Sequence, residues 1–295
     1  MFTFKKCKKG QAVKAWLMKN SSGWVQKYYC KECKQSFTNR KGLERYRHNA
    51  NIITAALDLR AKGLSLADVV DHLDQHYRIK VSRTAVLYWQ NKFGEKLNSF
   101  TQSLIPQLGD IFHADEMFVK VNGKWNFYWD CIDYLTKFMV AEHFSTIRDD
   151  KEAIEVLNKI KTSSPKLPVE IHTDNSFDYP PAFRKVFPRR RIHKHYPAWK
   201  KKFKNNPIER LHNTLKQRYK TFRGFDNNTS AEKFLSFFKV YYNFIRKHTS
   251  LGFITPSQAA KINLNLGRNR FKSLIELLLA FLKACFWLKP NVHCL

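Results

Sequence analysis

The chain has 295 residues, and its 53 Lys and Arg against 24 Asp and Glu give a formal net charge of +29 and an isoelectric point near 9.9. This charge favours a polyanionic partner, either nucleic acid or an anionic membrane, while six cysteines are too few for a disulfide scaffold. A membrane partner is not expected, because the start has no apolar core of signal-peptide length and the longest apolar stretch, residues 274–288, contains Glu276 and Lys283. We therefore expect a soluble, intracellular protein of two or three domains.

The first predicted segment, residues 1–45, is a small zinc-ribbon-like hairpin. Cys30 and Cys33 have the spacing with which two thiolates hold one tetrahedral zinc from a tight turn. A ribbon normally has a second such pair, and here only Cys7 stands at one of its positions. The pattern predicts the ribbon shape with one of two states. Either zinc is held by Cys7, Cys30, Cys33 and a ligand from elsewhere, such as His48, or the hairpin holds no metal.

Residues 46–100 have the apolar periodicity of three short helices. Ser65 and Ser82 are expected to cap the second and third helices. This order and spacing are typical of an all-α helix-turn-helix domain, in which Arg83 and Thr84 would face the major groove of DNA. A three-helix bundle without a DNA-binding function has the same pattern, so both interpretations stay open.

Residues 105–262, which follow a linker at 100–106, alternate between strand and helix patterns. Three strands are predicted first, at 111–119, 125–132 and 138–144. Helix, strand, helix, strand and helix follow at 148–161, 169–173, 179–186, 191–195 and 207–223. This order predicts an α/β domain with a mixed five-stranded sheet and flanking helices. Residues 263–295 are predicted to be a helical tail, to which the sequence assigns no role.

Three acidic residues stand where carboxylates can meet. Asp115 lies inside the first predicted strand of this domain, Asp174 directly follows the fourth, and Glu209 lies in the first turn of the long helix, inside a run of Lys and Arg. Carboxylates about 4 Å apart repel one another by roughly 1 to 4 kcal/mol per pair, and a divalent cation between them converts the repulsion into binding. A carboxylate that faces bound phosphates repels them in the same way, unless a divalent cation lies between the two groups. The pattern indicates a metal-dependent enzyme acting on nucleic acid.

Each of these residues has a structural alternative. Glu209 fits a capping box behind Asn206 at the start of its helix, and Asp174 fits an ordinary turn after a strand. Asp115 inside an apolar strand is harder to explain in this way, although Glu116 would be the buried acid if the register shifted by one. Four other acids compete for the same roles: Asp130, Asp133, Asp149 and Asp178.

Three segments resemble the signature blocks of insertion-sequence DDE transposases, a family whose catalytic core is RNase H-like and similar to that of retroviral integrases. They are residues 113–116 (His-Ala-Asp-Glu), 171–174 (Ile-His-Thr-Asp) and 206–212 (Asn-Pro-Ile-Glu-Arg-Leu-His). The 34 residues between Asp174 and Glu209 are close to the interval usual in that family.

The resemblance continues on both sides of these blocks. Residues 216–225 resemble the family's basic stretch, and residues 242–248 with 255–256 resemble its C-terminal motif. The zinc-ribbon-like start and the helix-turn-helix segment also match its layout, so the resemblance covers residues 7–260. The departures are the incomplete cysteine set and the tail after residue 262.

The resemblance implies an RNase H-like core in which Asp115, Asp174 and Glu209 hold two Mg²⁺ ions, or Mn²⁺ in their place. It implies a polynucleotidyl transferase that binds the ends of its insertion sequence and catalyses DNA strand cleavage and strand transfer. His212, one turn after Glu209, is a further candidate near the chemistry. The implied partners are double-stranded DNA, both transposon ends and target, and further copies of the chain in a homo-oligomer. The expected location is the prokaryotic cytoplasm, at the nucleoid.

Basic residues around Glu209 are predicted to bind DNA phosphates, with a solvated helix face as the alternative. They are Lys200, Lys201, Lys202, Lys204, Lys216, Arg218 and Lys220. Tyr196 and Trp199 could stack on unpaired bases, although core packing is the more common use of such rings.

Two other functions stay open. The chain could be an inactive transposase remnant that acts as a sequence-specific DNA-binding protein, an interpretation that the incomplete cysteine set favours. It could also be an RNase H-type, metal-dependent nuclease, which would cut DNA without joining it.

Overall fold

The computed structural model of the chain describes residues 3–4, 7–20, 23–38, 43, 46–174, 176–188, 192–195 and 206–288. Among the described residues no helix is both long and apolar enough to cross a membrane. Six residues that the sequence singles out lie outside the described part: Tyr196, Trp199, Lys200, Lys201, Lys202 and Lys204. Their predicted roles stay predictions.

The N-terminal segment is a four-stranded antiparallel sheet. Its strands follow one another in space as in the chain: β1 (Thr3–Phe4), β2 (Cys7–Asn20), β3 (Gly23–Cys30) and β4 (Ser36–Thr38). Cys30 and Cys33 lie at the tight turn between β3 and β4, where the Lys34 amide donates to the Cys30 carbonyl at 3.0 Å. The predicted hairpin is thus present. Zinc stays a prediction, because the side chain of Cys7 lies outside the described part.

Three helices follow, as predicted: α1 (Ala50–Ala61), α2 (Leu66–Tyr77) and α3 (Arg83–Gln102). Ser65 caps α2 in a complete capping box, and the Ser82 side chain accepts from the Ala85 amide at the start of α3. The expected linker at 100–106 was partly wrong, since α3 continues to Gln102. The reason is that Phe100, one helical turn after Leu97, is still buried and extends the apolar face.

The central sheet has five strands: β5 (Ile111–Val121), β6 (Lys124–Asp133), β7 (Met139–Ser145), β8 (Glu170–Thr173) and β9 (His193–His195). Their order is β7-β6-β5-β8-β9. The first three strands pair antiparallel, while β8 lies parallel to β5 and β9 parallel to β8. The predicted α/β class with a mixed five-stranded sheet of RNase H-like type is confirmed.

Helices cover both faces of this sheet: α4 (Asp150–Ser163), α5 (Tyr179–Val186), α6 (Asn206–Tyr219) and α7 (Asn228–Val240). Successive residues of a strand point to opposite faces. On β6 the Trp129 ring contacts Tyr179 of α5, and the adjacent Asp130 contacts His212 of α6. Helices α5 and α6 therefore lie on opposite sides of the sheet.

The prediction that the last helix of the sheet domain continues to residue 223 was wrong at its end. Helix α6 stops at Tyr219, a 3₁₀ turn follows at Lys220–Phe222, and Arg223 and Gly224 have positive φ angles of 60° and 109°. This sharp turn places Phe225 beside the end of β5, where its carbonyl accepts from the Asn122 amide at 2.7 Å. Pairing with the sheet thus ends the helix.

The predicted tail contains an element of the core. After α8 (Pro256–Ala259), helix α9 (Arg270–Leu288) packs against α1 and α3. Phe271, Leu274 and Ile275 are buried there. Helix α3 also packs against α7 so closely that a Cβ atom on Gly94 would lie 2.9 Å from the Phe237 Cβ. Helices α1 and α3 are therefore packed on α7 and α9, which follow the sheet.

Candidate active site

Two of the three predicted carboxylates meet where β5 and β8 run side by side. In this parallel pair His113 is opposite His172, so Asp115 and Asp174, each two residues further on, reach the same level of the sheet. Carboxylate oxygens of Asp115, Glu116 and Asp174 all lie within 4.8 Å of one another. The topology therefore brings Asp115 and Asp174 together, as the sequence predicted.

Glu209 is placed differently. It lies in the first turn of α6 and is exposed, and among the described side chains the group that meets within 4.8 Å does not include it. The helix that carries Glu209 nevertheless packs beside the group, because His212 Nδ1, one turn later, is 3.8 Å from Asp115 Oδ2. The role of Glu209 stays a prediction.

Glu116 is the third member of the group. From the sequence it was expected only as an alternative to Asp115. The available signal was two consecutive acids inside an otherwise apolar strand. Arg148, in the turn before α4, forms an ion pair with Glu116, and its Nε lies 3.3 Å from Asp178 Oδ2. Arg148 also donates to Ser176 Oγ at 2.9 Å. Arg148 thus joins β5 to the loop that carries Asp174.

Burial and repulsion from neighbouring carboxylates raise the pKa of Asp115 and Glu116. Burial, to which the charge of Asp174 adds, raises the pKa of Asp115 to about 7, although His212 opposes the rise. Burial and then the charge of Asp115 raise the pKa of Glu116 to about 7, with Arg148 opposing.

These residues fit a divalent cation. The group offers three hard oxygen donors, the ligand type that Mg²⁺ and Mn²⁺ prefer. Glu116 Oε2 is buried and makes no hydrogen bond to another described residue, so it keeps a lone pair for a ligand. Burial is the main cause of the raised pKa values of Asp115 and Glu116, and the facing carboxylates add to it, so a cation bound between them would be favoured.

The pH dependence of stability follows from the Asp115 pKa. A folded-state pKa of about 7 against an unfolded value near 3.9 means that the folded chain binds more protons between these values, so stability falls as pH rises through this window. In EDTA we expect Asp115→Asn to stabilise the protein at pH 8, by at most about 4 kcal/mol, and to have little effect near pH 4. Urea unfolding at both pH values measures this difference.

The exposed Asp226 provides the matched control. Asp226→Asn removes the same charge without burial and should change stability similarly at both pH values. An Asp115→Asn variant that is equally destabilised at pH 4 and pH 8 would contradict the raised pKa.

Asp130 and His212 form a buried pair behind the acidic group. Asp130 is fully buried, and its Oδ1 is 2.8 Å from His212 Nε2. Burial raises the pKa of Asp130, while His212 opposes the rise. Burial alone would lower the pKa of His212, but the charge and hydrogen bond of Asp130, with the charge of Asp115, outweigh it and raise that pKa. His212, singled out from the sequence, thus links Asp130 to Asp115.

The predicted DNA-binding residues have different environments. Arg83 and Thr84 are exposed at the start of α3, and Lys216 and Lys220 are exposed on and just after α6. Arg218 is partly occupied inside the protein, since its Nη1 donates to the Lys62 carbonyl at 3.1 Å. Binding of DNA by these residues stays a prediction, and for Arg218 it would compete with an internal contact.

Sequence comparison finds a family match for the central domain. Residues 109–248 match the family model of the DDE domain. This segment is therefore similar to DDE domains. The match confirms the transposase- and integrase-type resemblance for the RNase H-like core, and it contains Asp115, Asp174 and Glu209. The zinc-ribbon and helix-turn-helix interpretations of the residues before the DDE domain stay predictions.

Individual proteins show more distant similarity. An uncharacterized protein of Methanocaldococcus jannaschii is 28% identical over 221 residues, which are 73% of this chain and 96% of that protein. The simian T-cell lymphotropic virus intasome in complex with PP2A regulatory subunit B56 gamma matches with a TM-score of 0.40 and 14% identity, over 70% of this chain and 74% of that one. The HTLV-2 integrase catalytic core in complex with magnesium matches with a TM-score of 0.35 and 15% identity, over 53% and 98%.

Proposed function

We propose that this protein is a DNA transposase that binds the ends of its insertion sequence and catalyses strand cleavage and strand transfer. The observation that carries the proposal is the meeting of the Asp115 and Asp174 carboxylates inside a DDE domain. The formal charge of +29 supports a polyanionic substrate. Partly exposed carboxylates that meet on neighbouring strands, beside a helix that carries Arg210, Lys216 and Arg218, suit phosphodiester chemistry better than simple DNA binding.

The residues present would hold two Mg²⁺ ions, or Mn²⁺. Asp115 and Asp174 would be ligands, with Glu209 as the predicted third and Glu116 in reach. The chemistry that such ions supply when bound is a lowered pKa for the attacking water or 3′-hydroxyl and charge stabilisation for the leaving oxygen. Asp130 and His212 hold the Asp115 carboxylate in place, and Arg148 holds the loop that carries Asp174.

The basic residues position the DNA in this proposal. Lys216 and Lys220 bind phosphates beside α6, together with the lysines at 200–202 and 204. Arg83 and Thr84, exposed at the N-terminus of α3, read the terminal sequence in the major groove. Joining two transposon ends to one target requires at least two active sites, so the active form is a homo-oligomer. The proposed location is the nucleoid in the cytoplasm.

One observation favours a second candidate, an inactive remnant that binds DNA specifically. Glu209 lies outside the group of meeting carboxylates, and a core that had lost catalysis would not need it there. The remnant keeps the fold, the basic surfaces and the helix-turn-helix, but it neither cuts nor joins DNA.

The test uses terminal inverted repeats from the DNA that flanks this reading frame. A pre-cleaved duplex with a free 3′-hydroxyl is incubated with the protein, MgCl₂ and a supercoiled plasmid. We expect end-to-plasmid joining that EDTA abolishes. Nicking without joining would instead identify an RNase H-type nuclease, and specific binding without either reaction would identify the remnant.

A further inference from the structure

A groove with a cavity volume of about 910 Å³ runs along one flank of α6. Its walls come from the first residues of β5 and β8, from the turn after β6 and from residues 242–250, opposite Arg210, Asn213 and Gln217 of α6. The volume falls in the range of ligand pockets, about 300 to 1,000 Å³. Nothing in the proposed chemistry of the acidic group requires such a groove.

Three cations converge on the groove: Lys137, Arg210 and Arg246. In the described part of the chain, no carboxylate oxygen lies within 4.0 Å of their side-chain nitrogens. Arg246 Nη1 instead lies 3.0 Å from His248 Nε2. Burial, with Arg246 adding, lowers the His248 pKa to about 4, so this ring is neutral at pH 7 and offers no counter-charge. Like charges that converge without a partner favour an anionic ligand.

None of the described acidic residues near the groove forms an ion pair with these cations, although the charge of Asp133 acts on Lys137 and opposes the lowering of the Lys137 pKa by burial. Glu170 lines it, but its carboxylate is held by His172 at 2.8 Å and lies 3.8 Å from Lys194. Asp133 is fully buried and accepts hydrogen bonds from Thr136. The positive charge of the groove is therefore available to a ligand.

An aromatic ring stands at the rim. Tyr134 is 50% exposed, and the Lys137 ammonium lies 4.3 Å from its ring centroid. An exposed ring next to unpaired cations is the combination with which proteins bind single-stranded nucleic acid, because a base stacks on the ring while cations contact the phosphates.

The groove begins beside the acidic group. His113 lines it and precedes Asp115 by two residues on β5, so both side chains point to the same face of the sheet. On the other wall, Arg210 follows Glu209 directly on α6. A strand whose phosphodiester lies at the acidic group could therefore continue into the groove.

We propose that this groove binds a short single-stranded DNA segment, with its phosphates on Lys137, Arg210 and Arg246 and a base on Tyr134. The proposal rests on the proposed transposase function and adds an unpaired strand next to the reacting phosphodiester. A single strand is favoured over a duplex because a cavity of this volume suits a few nucleotides and has an exposed ring at its edge.

The test is fluorescence anisotropy with a labelled oligothymidylate of about ten nucleotides, in EDTA so that no reaction occurs. Replacing all three cations by Met should weaken binding at least tenfold. The slope of log affinity against log salt should also fall by about 2, since each single-strand phosphate contact contributes about 0.7. Tyr134→Ala alone should weaken binding about tenfold.

The matched control replaces three exposed cations on α4 and α5, which are Lys151, Lys161 and Arg184, by Met. It removes the same charge from the opposite side of the sheet and should change affinity less than threefold. Circular dichroism checks the fold of every variant, and the exposed Arg210→Met alone serves if the triple variant unfolds.

Equal affinities of the groove variant and the control would overturn the proposal. The proposal would also be overturned if the groove substitutions weakened the binding of a duplex of the same length as much as they weaken the binding of the single strand. Both results concern binding without metal, so they leave strand transfer by the wild type untouched. Absent strand transfer with intact single-strand binding would instead contradict the proposed function.

Discussion

Asp115→Asn and Asp174→Asn are each expected to lower strand transfer by about 1,000-fold, which corresponds to about 4 kcal/mol of activation free energy. Both carboxylates belong to the group that meets within 4.8 Å, and the amide replaces an anionic oxygen that a divalent cation needs. Joining of pre-cleaved ends to a plasmid measures the effect. Affinity for end DNA should stay equal or rise slightly, because an anion has been removed near phosphates.

The same assay decides between the two glutamates. We expect Glu209→Gln to lower strand transfer about as much as the two aspartate variants do. Glu116→Gln should lower it by less than about tenfold, or 1.4 kcal/mol, because the Glu116 carboxylate already pairs with Arg148. Glu232→Gln, exposed on α7, is the matched control. Full activity of Glu209→Gln together with an inactive Glu116→Gln would reverse the assignment.

His212→Ala is expected to destabilise the protein by about 3 to 5 kcal/mol, the usual effect of removing one partner of a buried ion pair. Asp130 is fully buried and loses the partner that lies 2.8 Å away. The substitution also removes the imidazole whose Nδ1 lies 3.8 Å from Asp115 Oδ2. Equilibrium urea unfolding near pH 7 measures the change in the free energy of unfolding.

Two comparisons separate this effect from simple loss of a side chain. His76→Ala, at an exposed position of α2, should cost less than about 0.5 kcal/mol. The double variant Asp130→Asn with His212→Gln keeps a hydrogen-bonding pair without charge and should be more stable than His212→Ala. If His212→Ala costs no more than His76→Ala, the pair does not stabilise the fold.

Much of the secondary structure was predictable because it depends on local patterns. The strands and helices of the sheet domain follow from alternation and helical periodicity, and the caps at Ser65 and Ser82 follow from side chains that bond amides three residues away. Asp115 was predictable since an ionised group in an apolar strand is costly unless it is used. The predicted ends of two helices were wrong: α3 continues to Gln102, and α6 stops at Tyr219. Packing with distant residues decides where a helix ends, so local patterns do not predict it.

The sequence by itself determined the α/β class, the order of the elements and two of the carboxylates that meet. Only the tertiary structure decided which charged groups face one another: Arg148 on Glu116, and His212 on Asp130, 82 residues away along the chain. It also decided that Glu116 joins Asp115 and Asp174 while Glu209 stands outside their group. The physical reason is that periodicity assigns a side chain to a face, whereas its neighbour across that face depends on how separate elements pack.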